Sequence, residues 1–268
     1  MPAAVHNEGM AHVVAFANQK GGVAKTTTVV TVAAALVELG RSVLVVDLDA
    51  QGCATFCLGF DPEELDLTIA DVIIGAGKRP ATDVLVSSDD GVDLIPASLD
   101  LARADQALAT TMGREFVLRD ALEPLRSRYD WILLDCSPSL GIVTINALVA
   151  ADAVVIPLQC ETLSHRGVGQ LLETIDDVRR FANGRLRILG ILPTLFDGRT
   201  MHARAILADL PARYGLPVLA PIHRSIRFAE APATGRTILA TAGQSRGARD
   251  YRDLATYLDT SLEGDSTT

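Results

Sequence analysis

The feature that most constrains the fold is an apolar strand-like segment followed directly by a glycine-rich loop and a long apolar segment of helical character. Residues 12–17 are almost all apolar, and residues 29–36 contain no helix breaker. Between them the loop reads Asn18-Gln19-Lys20-Gly21-Gly22-Val23-Ala24-Lys25-Thr26-Thr27. A strand that enters a helix through such a loop presents backbone N–H groups and the positive end of the helix dipole to an anion. The order predicts a phosphate-binding loop in an α/β fold.

The lysines support a nucleotide as the anion. The chain has only three lysines against 21 arginines, and two of the three lie in this loop. The common pattern GxxxxGK[ST] is not met, because Gln19 and Ala24 occupy its glycine positions. The loop instead matches a variant, KGGxxK[ST], which a further lysine opens. A larger set of residues is thereby predicted to bind the nucleotide: Lys20, Gly21, Gly22, Val23, Ala24, Lys25, Thr26 and Thr27.

Within this set, three side chains receive separate roles. Lys25 is the ordinary lysine for the β- and γ-phosphates, the Thr26 hydroxyl is a ligand for Mg²⁺, and Thr27 can donate to the α-phosphate. The alternative is a glycine-rich turn with two solvated lysines, which the flanking strand and helix disfavour.

Two apolar segments end in aspartate. Asp47 lies near the end of the segment at 42–48 and Asp49 follows that segment directly, while Asp135 ends the segment at 130–135. An acid at the carboxyl end of a buried strand, in a chain with a phosphate loop, is typical of a residue that holds Mg²⁺. Asp135 fits that role best. Asp47 and Asp49 point the same way, so one can approach the metal while the other orients the attacking water; the alternative is an acid that caps the next helix.

The segment order predicts the architecture. Apolar strand-like segments recur at 12–17, 42–48, 92–96, 130–135, 153–158 and 186–192, with a weaker one at 217–222. Most are separated by segments of helical length, such as 98–110, 114–128, 139–150 and 164–182. Almost continuously apolar strands favour a parallel sheet that is covered on both faces. We expect an α/β fold: a doubly wound, mostly parallel sheet with helices on both faces and a site at the carboxyl ends of its strands.

We expect one domain over residues 12–260, a flexible N-terminus at 1–11 and a disordered tail at 261–268. No apolar run approaches the ~20 residues of a membrane span, and the first residues lack the basic and apolar order of a secretory signal. The four cysteines show no CxxC spacing, which favours buried free thiols over a metal site. These features predict a cytoplasmic protein.

The charge is unevenly distributed. Residues 185–252 hold 11 arginines and four acids, a balance of +7, whereas the rest of the chain holds 13 basic and 29 acidic residues, a balance of −16. A basic region in an acidic protein indicates an anion-binding face.

The motifs KGGVAKTT at 20–27, VDLDAQG at 46–52 and LLDCSPSL at 133–140 occur in this order. With them the chain resembles the ParA/Soj chromosome- and plasmid-partitioning ATPases, within the deviant-Walker group of P-loop NTPases that includes MinD. The resemblance covers nearly the whole predicted domain. The segments 189–200 and 224–232 are similar to family segments near the adenine and the DNA-binding face.

The resemblance implies a cycle in which ATP and Mg²⁺ drive two protomers into a face-to-face homodimer, with Lys20 of each reaching the phosphates bound by the other. The dimer binds double-stranded DNA without sequence preference, on the nucleoid. A ParB-like partner stimulates slow ATP hydrolysis. By motif match, Asp49 positions the attacking water, Lys20 and Lys25 are further catalytic residues, and Asp135 serves the metal.

The resemblance further implies that four arginines bind DNA: Arg199, Arg224, Arg227 and Arg249. His223 occupies a position that is usually proline, and we expect it either to stack on adenine or to be an ordinary surface or core histidine. Ala24 replaces a glycine, and if this position needs a positive φ, alanine costs roughly 1 kcal/mol.

Other functions share this scaffold. A MinD-like membrane-associated regulator of cell-division placement requires a basic amphipathic C-terminal helix, but no basic residue follows Arg252, and an acidic end is repelled by an anionic membrane. No membrane partner is therefore expected. A nitrogenase-type reductase or an amide synthase is a third possibility, which the cysteines do not favour. A ParA-like ATPase that positions another cargo stays open.

Overall fold

A seven-stranded sheet organises the molecule, of which the computed structural model describes residues 10–161 and 166–263. The strands are β1 His12–Phe16, β2 Val43–Leu48, β3 Val86–Ser87, β4 Asp93–Ile95, β5 Trp131–Cys136, β6 Ala153–Gln159 and β7 Arg187–Thr194. Their order is β3-β4-β2-β5-β1-β6-β7, and all neighbours are parallel except the pair β3–β4. The prediction of a mostly parallel sheet is confirmed.

Helices connect the strands. The described α-helices are α1 Lys25–Glu38, α2 Cys53–Cys57, α3 Ile69–Ile74, α4 Ala104–Ala107, α5 Val117–Leu122, α6 Ile142–Ala150, α7 Arg166–Phe181, α8 Met201–Tyr214, α9 Arg227–Glu230, α10 Ile238–Ala242 and α11 Arg246–Glu263. Within the described ranges, none of them has the length and apolar composition needed to cross a lipid bilayer.

The sheet is buried on both faces because its strands alternate between two apolar cores. In β1, Val13 and Ala15 belong to the core that includes residues of α3, α5, α6 and α7. Val14 and Phe16 belong to the opposite core, with α1, α10 and α11. This alternation explains why the strands are apolar throughout, and it confirms helices on both faces.

The last helix is bonded to the first. The Tyr251 hydroxyl lies 3.0 Å from that of Thr28 in α1. Asp259 of α11 accepts two hydrogen bonds of 2.9 Å from the Arg41 guanidinium and one of 3.3 Å from the Trp131 indole. Because α1 begins at the glycine-rich loop, the contact of α11 with α1 also helps to fix the position of that loop.

Some sequence predictions were wrong in detail. The segment 217–222 forms only an isolated bridge to β7, because its prolines, Pro217 and Pro221, cannot donate to a ladder. The segment 98–110 forms a 3₁₀ turn and the short α4, and 114–128 is interrupted where Pro124 follows α5.

The predicted domain boundaries also differ slightly from the structure. Helix α11 continues to Glu263, so a disordered tail from residue 261 is wrong for 261–263. At the other end, Ala11 is buried and its N–H donates to the Arg126 carbonyl. The rest of both predicted flexible ends, residues 1–9 and 264–268, lies outside the described residues.

Candidate nucleotide and DNA sites

The glycine-rich loop between β1 and α1 is held by two buried side chains. Asn18 donates to the Pro157 carbonyl at 2.6 Å and accepts the Lys20 N–H at 2.9 Å. From the other side of the loop, the Thr194 hydroxyl donates to the Val23 carbonyl at 2.9 Å. These bonds tie the loop to the carboxyl ends of β6 and β7. Neither Asn18 nor Thr194 was singled out from the sequence, although Asn18 is the first residue of the loop.

The loop needs two residues with left-handed backbone. Gly22 has φ of +74°, and Ala24, at the N-cap of α1, has φ of +60° and ψ of +34°. Ala24 therefore has the positive φ on which its expected cost depended, and its left-handed backbone costs roughly 1 kcal/mol relative to glycine. Gly21 and Gly22 are both exposed, so this part of the loop is accessible to a ligand.

The two loop lysines have different surroundings. Lys25 is buried at the start of α1, and its Nζ lies 3.4 Å from the Lys20 carbonyl oxygen. Lys20 is partly exposed, and its Nζ lies 3.4 Å from the Glu161 carboxylate at the end of β6. Burial lowers the pKa of Lys25, while Asp135, Cys136 and Asp49 oppose that shift. An anionic ligand beside Lys25 would favour its charged form.

The strand ends bring the predicted acids to one edge of the sheet. Asp47 of β2 pairs in register with Asp135 of β5, which in turn pairs with Phe16 at the end of β1. Both aspartates are fully buried. Burial, with the Asp47 charge, raises the pKa of Asp135 well above its usual range, while Thr26 and Lys25 oppose the shift.

Asp135 has an unusual bonding state. Among the described residues, neither carboxylate oxygen has a hydrogen-bond partner of ordinary geometry, although the Thr26 side chain lies close enough to lower its pKa. A buried carboxylate without a partner is costly unless a ligand completes it.

These residues fit Mg²⁺. The ion prefers hard oxygen ligands and takes only one or two from the protein, the rest coming from water and phosphate. Thr26 and Asp135 provide an oxygen pair of the right kind.

Asp47 is already engaged by the protein. Its Oδ2 accepts the Thr55 N–H at 2.9 Å and the Thr55 hydroxyl at 2.8 Å, and its Oδ1 accepts the Asp49 N–H at 3.1 Å. Burial raises its pKa to about 6 although these bonds oppose the shift. Asp47 thus bonds to α2, the next helix, which agrees with the alternative that this acid caps that helix. Its role as a metal ligand stays a prediction.

Asp49 differs from Asp47 in exposure. It is partly exposed, and its Oδ1 accepts the Gln51 N–H at 3.0 Å. The Asp49 side chain is therefore accessible from the open side of the sheet edge, as a residue that orients water must be.

His223 lies in a polar contact. Its Nδ1 and its backbone N–H each bond to Asp250 Oδ2, at 2.9 and 2.8 Å, and its ring packs edge-on against Phe196 at 5.5 Å. It lines an open cavity of about 840 Å³. The proposed stacking on adenine stays a prediction.

The structure brings together two of the four predicted DNA-binding arginines. Arg199 and Arg224 line the cavity beside His223, whereas Arg227, at the start of α9, and Arg249, exposed on α11, do not line it. Arg199 bonds to Asp197 at 2.8 and 2.9 Å, and Arg227 bonds to Glu230 at 2.8 Å.

Two further arginines, Arg204 and Arg246, line the same cavity and were missed from the sequence. Arg204 follows the N-cap Thr200 of α8 by one turn, which could have placed it near Arg199. Arg246 begins α11, and no sequence pattern links it to the others. Among the described residues that line it, the cavity thus has four arginines and one acid, Asp197.

Comparison with known proteins identifies the family. The profile of a family described as an AAA domain matches residues 11–188. The sporulation initiation inhibitor protein Soj of Bacillus subtilis is 40% identical over 248 residues, which are 92% of this chain and 97% of that protein. The chromosome-partitioning ATPase Soj of Thermus thermophilus is 46% identical, over 90% of this chain and 93% of that protein. The chain belongs to the ParA/Soj family of ATPases.

Among solved structures, cobyrinic acid a,c-diamide synthase from Mycobacterium smegmatis, with bound ADP and magnesium, is 48% identical with a TM-score of 0.85. The match covers 95% of this chain and 96% of that one. The predictions of a ParA/Soj-family P-loop ATPase and of its fold are confirmed. The assigned roles of individual residues stay predictions.

Proposed function

We propose that this protein is a ParA-like ATPase that dimerises with ATP, binds double-stranded DNA without sequence preference and drives chromosome or plasmid partitioning with a ParB-like partner. The observation that carries the nucleotide part is Asp135, a buried carboxylate that has no hydrogen-bond partner of ordinary geometry among the described residues and lies beside Lys25 and Thr26. The names of relatives 40–46% identical over most of the chain support the partitioning role.

In this proposal ATP and Mg²⁺ occupy the edge of the sheet where β1, β2 and β5 end. Lys25 binds the β- and γ-phosphates and the loop N–H groups bind the oxygens between them. Thr26 and Asp135 would hold Mg²⁺, which supplies positive charge to the phosphate oxygens. Asp49 orients the attacking water from its partly exposed position.

Lys20 links nucleotide binding to dimerisation. It stands at the mouth of the loop, in contact with the Glu161 carboxylate at 3.4 Å, where both side chains are accessible. A second protomer's phosphates would compete for this ammonium, because a phosphate carries more charge than one carboxylate. We expect Lys20→Ala to keep nucleotide binding by the monomer and to lose the ATP-dependent dimer in sedimentation. A dimer of parental stability in Lys20→Ala would exclude this role.

The basic surface is proposed to contact DNA phosphates. Arg199, Arg204, Arg224 and Arg246 line one cavity, and a dimer would present two copies of it. If a dimer neutralises about six phosphates, the log–log salt slope of binding is near −5. Arginines that meet phosphates read no base edges, so the affinity should depend little on sequence.

Charge reversal tests the basic surface at Arg224, which lines the cavity, and at Arg227, which lies three residues further along the chain at the start of α9. Arg224→Glu and Arg227→Glu should weaken binding to double-stranded DNA by roughly tenfold at matched salt, with ATP present, and flatten the salt slope. ATP-driven dimerisation should survive in both. Arg119→Glu is the control, since Arg119 is exposed and paired with Asp120 far from the basic region in sequence. Gel shifts in which both reversals bind like Arg119→Glu would place the DNA surface elsewhere or remove it from the proposal.

The proposal locates the protein in the cytoplasm, on nucleoid DNA. Its cargo is read by the ParB-like partner, so the same machinery with another partner would position another cargo. The purified partner protein, added with its DNA site, should accelerate ATP hydrolysis by the DNA-bound ATPase. The same partner should not accelerate hydrolysis when the ATPase is not bound to DNA.

Amide synthesis is the second candidate, because a structure 48% identical carries that name. Release of ammonia from glutamine uses a thiolate nucleophile. The prediction of buried thiols is wrong for Cys53, which is exposed, and Cys57 is half-buried. Desolvation nevertheless raises the pKa of all four thiols, that of Cys160 to about 11 and that of Cys57 to about 12. We therefore expect no release of glutamate from glutamine in the presence of ATP, and measurable release would favour the second candidate.

A further inference from the structure

A threonine outside the predicted site is bonded to its centre. Thr55, in α2, is fully buried, and the sequence did not mark it as functional. Its hydroxyl donates to Asp47 Oδ2 at 2.8 Å and accepts the Ala97 N–H at 3.0 Å, while its own N–H donates to the same Asp47 oxygen at 2.9 Å. One side chain thus joins the end of β2, helix α2 and the segment after β4.

The connection continues from Asp47 to Asp49. The second oxygen of Asp47 accepts the Asp49 N–H at 3.1 Å, so the carboxylate that Thr55 holds also fixes the Asp49 backbone. Among the described residues, the one hydrogen bond of the Asp49 side chain is local, accepted from the Gln51 N–H at 3.0 Å. Its direction therefore depends on the backbone of residues 47–51, and that backbone depends on Asp47.

We propose that Thr55 is a positioning residue for ATP hydrolysis, which holds Asp49 in place through Asp47. This inference rests on the proposed role of Asp49 as the residue that orients the attacking water. Thr55 lies beneath the edge of the sheet and has its bonding capacity filled by protein groups, so it acts through Asp47 and makes no contact with nucleotide. Small displacements of a catalytic group cost large factors in rate.

Thr55→Val tests the hydroxyl with little change of shape. It removes the bonds to Asp47 Oδ2 and from the Ala97 N–H, while the Thr55 N–H bond can remain. We expect kcat for ATP to fall by about 10- to 100-fold, with KM and the calorimetric Kd for ATP within roughly threefold of the parent, because ground-state contacts are kept. Thr55→Ser, which keeps the hydroxyl, should restore kcat to within roughly threefold.

A double variant separates positioning from general damage to the fold. If Thr55 acts through Asp49, then Thr55→Val combined with Asp49→Ala should be no slower than Asp49→Ala alone, since residues that act as a unit are not additive. Should Thr55→Val fail to fold, Thr55→Cys, of similar size with a weak donor, takes its place with the same expectations.

Three results would overturn the inference. They are a Thr55→Val enzyme with parental kcat, a loss of ATP affinity as large as the loss of kcat, or a double variant that is slower than Asp49→Ala by the full Thr55→Val factor. Asp49→Ala at the parental rate would remove the proposed role of Asp49 itself. Parental kcat in Thr55→Val with a slow Asp49→Ala would remove only the role of Thr55.

Discussion

The edge of the sheet at β1, β2 and β5 and the arginine-rich region from β7 to α11 both concentrate charge, but they hold it differently. At the edge, Lys25, Asp47 and Asp135 are buried and their pKa values are displaced by desolvation. In the basic region, Arg199 is 91% exposed and Asp197 beside it has its pKa lowered by the guanidinium. The buried charged groups are held by the protein around them, whereas the exposed ones are largely solvated.

One of the contacts between the two regions is a close approach of two backbone segments. Gly59 follows α2, and Gly235 follows α9. A Cβ added to Gly235 would lie 2.9 Å from the Gly59 Cα, and one added to Gly59 would lie 3.1 Å from the Gly235 carbonyl oxygen. This approach is possible only because both residues are glycine.

The largest effect is expected from Lys25→Ala, which removes the buried cation of the sheet edge. We expect the affinity for ATP to fall by about 1,000-fold, because the phosphates would lose a desolvated charge-assisted contact. Lys78→Ala is the control, since Lys78 is the third lysine and lies in an exposed loop. Calorimetry that gives both variants the same affinity would contradict the assignment of Lys25.

The two regions should respond to pH with opposite signs. Burial raises the pKa of Asp47 to about 6, so its contribution to stability is present below the unfolded pKa of roughly 4 and is lost as pH rises through 6. We expect the unfolding free energy of the nucleotide-free protein to lose about 3 kcal/mol from this residue between pH 4 and 7.

Urea titrations of Asp47→Asn should therefore show a flatter pH dependence than those of the parent, with the part due to Asp135 remaining. Asp197 provides the contrast, since a lowered pKa contributes stability that is lost as pH falls. If Asp197→Asn flattened the pH dependence of the unfolding free energy as strongly as Asp47→Asn, the buried acids would not be the source of that dependence.

Gly235→Ala tests the contact between the regions. Gly235 and Gly215 have nearly the same φ, +63° and +62°, but a Cβ at Gly215 meets nothing within 4 Å. Both changes should cost roughly 1 kcal/mol for the left-handed backbone, and Gly235→Ala should cost a further 1–3 kcal/mol or so for overpacking. Equal melting temperatures for the two variants would show that the contact is easily relieved.

Ala24→Gly should have the smallest effect. Glycine relieves the positive φ at this position, and we expect the unfolding free energy to rise by up to about 1 kcal/mol. Ala76→Gly is matched, because Ala76 has φ of +51° and lies outside the phosphate loop. Both should raise the melting temperature, but only Ala24→Gly should alter the affinity for ATP; an equal change in affinity from both would argue against local strain at the loop.

The sequence was sufficient to predict which acids meet at the sheet edge, because the position of a residue at the end of a strand follows from the position of that strand. Once β2 and β5 are parallel neighbours, their terminal aspartates must come into register, as Asp47 and Asp135 do. The same reasoning could not reach Thr55 or Ala97, since their bonds to Asp47 join segments whose relative position depends on tertiary packing.

For the basic region, composition showed that arginines were concentrated but not which of them converge. Arg204 and Arg246 come from different helices, and only the tertiary fold brings them to the cavity of Arg199 and Arg224. The division of the helical segments 98–110 and 114–128 into short pieces was also missed, because the apolar pattern of a 3₁₀ turn resembles that of an α-helix over so few residues.

The bond between Thr28 and Tyr251 spans 223 residues of chain. During translation, α1 leaves the ribosome long before α11 can cover it, and at about 10 residues per second the delay is roughly 20 s. Throughout this interval one apolar flank of α1 has no final neighbour, and closing so distant a contact slows folding further. The helix that begins at the phosphate loop is therefore among the first parts synthesised and among the last completed, and it is the segment that a ribosome-associated chaperone would meet uncovered.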